Sequence, residues 1–152
     1  NGGVGFRDES FRVLVHATDA VSHDAVEYDE VFPDTHDRND ALAALIDENI
    51  YFVGITNGGS PRTELSNFAL ATHAYIAPTN GTCPTGAGGA PRAPIGSVCP
   101  LVFDVLPDGT GLSGAIVDAI AGLDEESDLG AFLLANQVVV NSTGEKQRGD
   151  GR

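Results

Sequence analysis

Phe11–Asp24, FRVLVHATDAVSHD, decides how the rest of the chain is read. Its first seven residues, Phe11 to Ala17, are largely branched or aromatic, which predicts a strand buried on both faces of a parallel sheet. The run stops abruptly at Thr18-Asp19-Ala20, followed by Ser22, His23 and Asp24. In an open α/β sheet, ligands collect where strands end at their carboxyl edge. A carboxylate held there on a rigid strand, as Asp19 would be, suits a hard cation. The plainer reading is that strand-to-helix loops carry Asp, Ser and Thr because these residues turn and cap well.

Downstream the rhythm repeats. Asn39 or Asp40 can cap a helix over Ala41–Glu48, with Leu42, Leu45 and Ile46 as its apolar stripe. Asn49 suits a left-handed stop, and Ile50–Thr56 (IYFVGIT) reads as a second buried strand. Asn57-Gly58-Gly59 is then the next carboxyl-edge turn. Ser60 caps a helix with Pro61 in its first turn, and Leu65, Phe68, Ala69 and Thr72 form its inner face. Tyr75–Ala77 is a short strand, and Leu101–Leu106 is a further one. Leu112, Ile116, Ala119, Ile120 and Leu123 recur at helical spacing. This is the βαβ pattern of an α/β fold with a mainly parallel sheet. Residues 1–123 form the expected domain, with residues 78–100 as a Gly/Pro-rich excursion. Residues 124–152 read as an acidic linker, a short helix and strand, and a disordered tail.

Charge narrows the partners. Asp and Glu number 22 against 8 Lys and Arg, for a formal charge of −14. That field repels phosphate backbones and anionic lipid, so no nucleic-acid partner is expected. No run is long and apolar enough for membrane insertion. The acids crowd between Asp19 and Glu48, opposed there only by Arg38. A solvated acidic face on a structural module without a metal explains such a cluster equally well.

The chain has two cysteines, Cys83 and Cys99, flanking the Pro/Gly-rich stretch with no CxxC motif. That arrangement suits a disulfide better than a zinc site, and implies a secreted or cell-surface location. The sequons at Asn80 and Asn141 agree with such a compartment. The sequence starts at Asn1-Gly2-Gly3, from which a mature product or a fragment is expected.

Catalytic motifs do not assemble. Gly111-Leu112-Ser113-Gly114-Ala115 has Ala115 where a nucleophile elbow needs glycine, and no histidine follows His73. The pairs His23-Asp24 and His36-Asp37 lie in loops, and no HExxH pattern exists. Asp34–Asp40 (DTHDRND) lacks the glycine and terminal Glu of an EF-hand loop. No enzyme is expected, although a small hydrolase using Asp19, His23 and Asn57 remains the alternative from another class. Arg148-Gly149-Asp150 forms an RGD tripeptide near the end of the chain.

Gly5-Phe6-Arg7, Ser10, the run RVLVHATDA and His23 together resemble a von Willebrand factor A domain, specifically the integrin β-subunit I-like subtype. The Pro/Gly/Cys insert and its CPLVFDV exit resemble secreted bacterial A-domain proteins. The similarity spans Gly5 to Leu123, and so covers the C-terminal half of that Rossmann-like fold. The family's Asp-x-Ser-x-Ser motif is absent. The resemblance implies a metal-ion-dependent adhesion site (MIDAS), where Mg²⁺, Mn²⁺ or Ca²⁺ meets an acidic group of a protein ligand. Asp19 maps onto the family's Thr-Asp aspartate. Pro107 maps onto a residue whose backbone carbonyl helps bind an adjacent calcium. Thr18, Ser22, His23, Asn57 and Asp108 would line the ligand face. The remaining donors would lie outside this chain. Strands missing from the N-terminal side would leave the first strand with an unpaired edge open to association.

Overall fold

The computed structural model describes residues 5–6, 10–28, 30–31 and 36–126, together with the backbone of 139–140 and 146–147. Three strands form a parallel sheet in the order β1 (Val13–Ala17), β2 (Tyr51–Thr56), β5 (Val102–Asp104). Two residues each, β3 (Tyr75–Ile76) and β4 (Cys99–Pro100), make an antiparallel pair beside it. The helices are α1 (Arg38–Asp47), α2 (Ser60–Ala71) and α3 (Leu112–Glu126). Beyond α3, β6 (Val139–Val140) pairs antiparallel with β7 (Lys146–Gln147). The mixed α/β architecture is therefore as expected. The remaining tail and the RGD tripeptide lie outside the described residues.

β2 is the buried centre. Phe52, Val53, Ile55 and Thr56 are all buried, because strands flank β2 on both sides and helices cover both faces. On one face Phe52 meets Phe68 of α2 with ring centroids 5.0 Å apart. Gly54 belongs to the same face. A Cβ placed there would come within 2.8 Å of the Leu65 Cβ, so the missing side chain lets α2 settle onto the sheet. The Thr72 hydroxyl at the end of α2 accepts the Phe52 N–H at 3.0 Å and donates to the Phe68 carbonyl at 2.9 Å, tying helix to strand. Helix α3 packs against β2, β3 and β5, burying Ala115, Ala119 and Leu123.

β1 departs from the expectation of burial on both faces. It is the edge strand, with Leu14 42% and Val15 38% exposed. Alternate residues of a parallel strand turn their backbone groups to one neighbour. The Tyr51 N–H donates to the Arg12 carbonyl, and the Thr18 N–H to the Ile55 carbonyl, both at 2.9 Å. The even-numbered residues of β1 therefore face β2, and the N–H and C=O groups of Val13, Val15 and Ala17 point outward. Among the described residues no strand pairs with that side. The apolar run reflects strand propensity; its place at the margin comes from the absence of a covering neighbour.

Smaller differences concern the helices. Asp37 caps α1, two residues before Asn39 and three before Asp40. Its carboxylate accepts the N–H groups of Asn39 (2.7 Å) and Asp40 (3.0 Å), and Asp40 returns a bond to the Asp37 N–H at 3.0 Å. This is a reciprocal capping box. Leu45 is buried and Leu42 partly so, but Ile46 is 48% exposed. Gly59 takes the cap position of α2, with Ser60 its first residue. Ile120 lies on the exposed side of α3, and the helix continues through Glu126. Asn49 does adopt the left-handed conformation, at φ 52°.

Candidate functional site

Because the three strands run parallel, the turns after β1, β2 and β5 open on one edge of the sheet. That rim collects Thr18, Asp19, Ser22 and His23 after β1, Asn57 after β2, and Pro107 and Asp108 after β5. Their side chains have different occupations. Thr18 Oγ1 accepts the Ala20 N–H at 3.1 Å and donates to the Ala20 carbonyl at 2.9 Å, so this hydroxyl closes a turn. Asp19 and Asn57 are exposed. His23 Nδ1 lies 2.5 Å from Glu27 Oε2, one helical turn on. Asp108 accepts the Thr110 N–H at 2.9 Å, and that bond holds its carboxyl below the usual aspartate range. Pro107 is exposed in the same turn.

Ser22 is fastened by a residue that the sequence did not single out. Its N–H and hydroxyl both donate to Glu64 Oε1 of α2, at 3.0 and 2.5 Å. Arg38 of α1 reaches Glu64 Oε2 at 3.4 Å and Asp24 at 3.0 Å. Burial pushes the Glu64 carboxyl up, but the two bonds from Ser22 and the Arg38 charge outweigh it and hold the group low. Glu64 thus ties the rim loop to both helices. Between α1 and α2 lies an open cavity of about 470 Å³, lined by Arg38, Leu42, Ser60, Glu64 and Phe68 among others.

Among the described residues the donors do not make a cation site. Among the described residues, no three of His, Cys, Asp and Glu gather where they could hold a metal ion. Asp19 stands alone, the Thr18 hydroxyl is engaged with Ala20, and the Asp108 carboxylate is engaged with Thr110. A hard cation takes six or more oxygens, some of them from water, and among the described residues this rim offers it one unengaged carboxylate.

A second polar cluster sits on the β5 side of the same edge. Asp104 ends β5, and Arg62 projects from the first turn of α2. Arg62 Nη1 donates to Asp104 Oδ1, and its Nη2 donates to Thr85 Oγ1 at 3.1 Å. Arg92 Nη1 donates to Asp104 Oδ2 at 2.6 Å. Both Arg62 and Asp104 are nearly enclosed, with side chains 13% and 12% exposed. Burial lowers the Arg62 pKa, the Asp104 carboxylate opposes that, and the neighbouring Arg92 charge lowers it further. The expected disulfide is present, with Cys83 and Cys99 joined at 2.03 Å. It anchors the loop that carries Thr85 and Arg92. No periodicity or motif in the sequence unites residues 62, 85, 92 and 104.

In comparisons with known proteins, the chain matches no family model, no curated protein and no solved structure. Among the described residues, no helix is long and apolar enough to cross a membrane.

Proposed function

We propose that this chain is the C-terminal half of a von Willebrand A-like, integrin β I-like module that binds a protein partner outside the cell. The observation that carries the reading is the open outer edge of β1 leading directly into the exposed Asp19. A sheet completed by further strands on that side would place Asp19 at a central rim rather than a marginal one. The Cys83–Cys99 bridge supports an oxidising compartment. The acidic surface supports a function away from nucleic acid and anionic membranes.

In this reading the partner presents an acidic group, and Asp19 supplies one carboxylate to a Mg²⁺, Mn²⁺ or Ca²⁺ cage. The described residues do not form that cage, so its other donors would come from elsewhere in the complete protein. What this chain supplies is the shape and charge of the rim, set by the Thr18 turn and the Glu64 tie. Calorimetry of the full-length protein with Mg²⁺, Mn²⁺ and Ca²⁺ tests the reading. Heat of binding that disappears in Asp19→Ala is expected, and no heat from any of the three ions removes the metal-dependent adhesion role.

A further inference from the structure

Four arginines are described, and their partners differ in a telling way. Arg12 meets one carboxylate, that of Glu48, and Arg38 meets two, those of Asp24 and Glu64. At Asp104 the balance reverses, because Arg62 and Arg92 converge on a single carboxylate. Among the described ion pairs two positive charges share one carboxylate there, while Asp118 lines a neighbouring pocket with Asp104, in a chain of formal charge −14. Arg62 and Asp104 are nearly enclosed, whereas the Arg92 side chain is 41% exposed, so the second positive charge sits at the open mouth of the cluster.

Both arginines line a space. A cavity of about 190 Å³ opens between α2 and the disulfide-anchored loop, lined by Arg62, Ser66, Asn67, Thr85, Arg92 and Ile95 among others. Arg62 spends both terminal nitrogens on Asp104 and Thr85. Arg92 spends only Nη1, and among the described residues its Nη2 and Nε have no acceptor. A guanidinium with one edge anchored and another edge free is shaped to take a planar, two-oxygen anion. Ser66 and Asn67 add polar groups, while Ile95 and Pro100 give the cavity apolar walls.

We propose that this cleft binds a carboxylate, with Arg92 as the receiving fork and Arg62 fixed behind it by Asp104 and Thr85. Two guanidinium groups sharing one carboxylate match a monoanion, whereas a doubly charged phosphate would leave an excess of negative charge in an already acidic protein. The carboxylate comes either from a small free organic acid or from a polypeptide that inserts its C-terminus or an acidic side chain. The site lies apart from Asp19, and it stands or falls independently of the adhesion reading.

The test is a titration of the full chain followed by the arginine Nε–H resonances. Sodium acetate is compared with sodium chloride at matched ionic strength. The expected result is a saturable shift at Arg92 with a dissociation constant on the order of 1 mM for acetate, and no saturable shift with chloride. Read at the Nε–H of the neighbouring Arg62, which both variants keep, Arg92→Gln removes the response, and Arg92→Lys, which keeps the charge without the fork, weakens binding at least tenfold. In a second arm, acetyl-Gly-Gly with a free carboxylate is compared with its amide. Tighter binding of the peptide acid than of acetate assigns a polypeptide source, and equal or weaker binding assigns a small acid. An amide that binds as well as the acid overturns the proposal. So does an acetate response no different from that of chloride or unchanged in Arg92→Gln.

Discussion

Cys83 and Arg92 exchange both of their backbone hydrogen bonds. The Cys83 N–H donates to the Arg92 carbonyl at 2.8 Å, and the Arg92 N–H returns to the Cys83 carbonyl at 2.9 Å. The bridge to Cys99 therefore positions Arg92 as well as closing a loop of sequence separation 16. Reduction, or Cys99→Ser, is expected to cost about 3 kcal/mol, from the freedom returned to the unfolded chain. Urea unfolding with and without reductant measures this. Limited proteolysis should show new cleavage between Thr85 and Val98, and unchanged protease sensitivity there would count against the bridge as the anchor.

Asp104 keeps two guanidinium groups from facing one another unpaired. Asp104→Asn removes the charge but not the shape, so the loss should be electrostatic. Destabilisation of about 2 kcal/mol is expected, typical of charge-assisted hydrogen bonds in a partly enclosed site. Thermal unfolding checks this, and an unchanged melting temperature would show that solvent already satisfies both arginines.

Gly54→Ala adds one carbon where the Leu65 Cβ would be 2.8 Å away and Val102 Cγ1 3.2 Å away. Both neighbours belong to the buried core, so relief requires α2 to lift from the sheet. The expected cost is about 1–3 kcal/mol, within the range for overpacked cores. A lowered urea midpoint at unchanged slope is the signature.

Acid should loosen the rim through Glu64. Its folded pKa lies below the ordinary value of 4.5, so its contribution to stability is complete above that value. As pH falls from there through the lower folded pKa, the contribution is lost, because the protonated carboxyl no longer accepts both Ser22 donors and pairs with Arg38. Glu64→Gln should flatten the stability-against-pH curve over that acidic window and leave its slope near neutrality unchanged. Unfolding midpoints at a series of pH values would show it, and a curve with the same acidic slope as wild type would assign the effect elsewhere.

The outer side of β1 carries no lysine, proline or bulge to blunt strand addition. Concentration-dependent association of this chain is expected, and Val15→Lys should weaken it roughly tenfold. Sedimentation velocity over a range of concentrations reads both, and a monomer at every concentration would argue that the edge is protected by other means.

How far the sequence could be read depends on the range over which each signal acts. β2, the inner face of α2 and the Asn49 turn follow from local composition and spacing, and the structure has them there. The disulfide was legible because only one pairing of Cys83 and Cys99 exists. The marginal place of β1 is not legible, since a branched, aromatic run looks alike at the centre and margin of a sheet. The Asp37 cap is not legible either, because acidic residues crowd that stretch and each is a competent acceptor. The rim residues Asp19, Asn57 and Asp108 were expected at one edge, and parallel strands put them there. Glu64–Ser22 and the Arg62–Asp104–Arg92 cluster were invisible, because they join residues far apart in sequence and only tertiary packing brings them together.

The two flanks of the sheet differ in what secures them. On the β5 side, the Thr85 carbonyl accepts the Asp104 N–H at 2.8 Å, so the covalently closed loop lies along that strand. On the β1 side, nothing described covers the backbone groups of Val13, Val15 and Ala17. The outer amides of β1 are therefore expected to exchange with solvent sooner than those of β2, which strands flank on both sides.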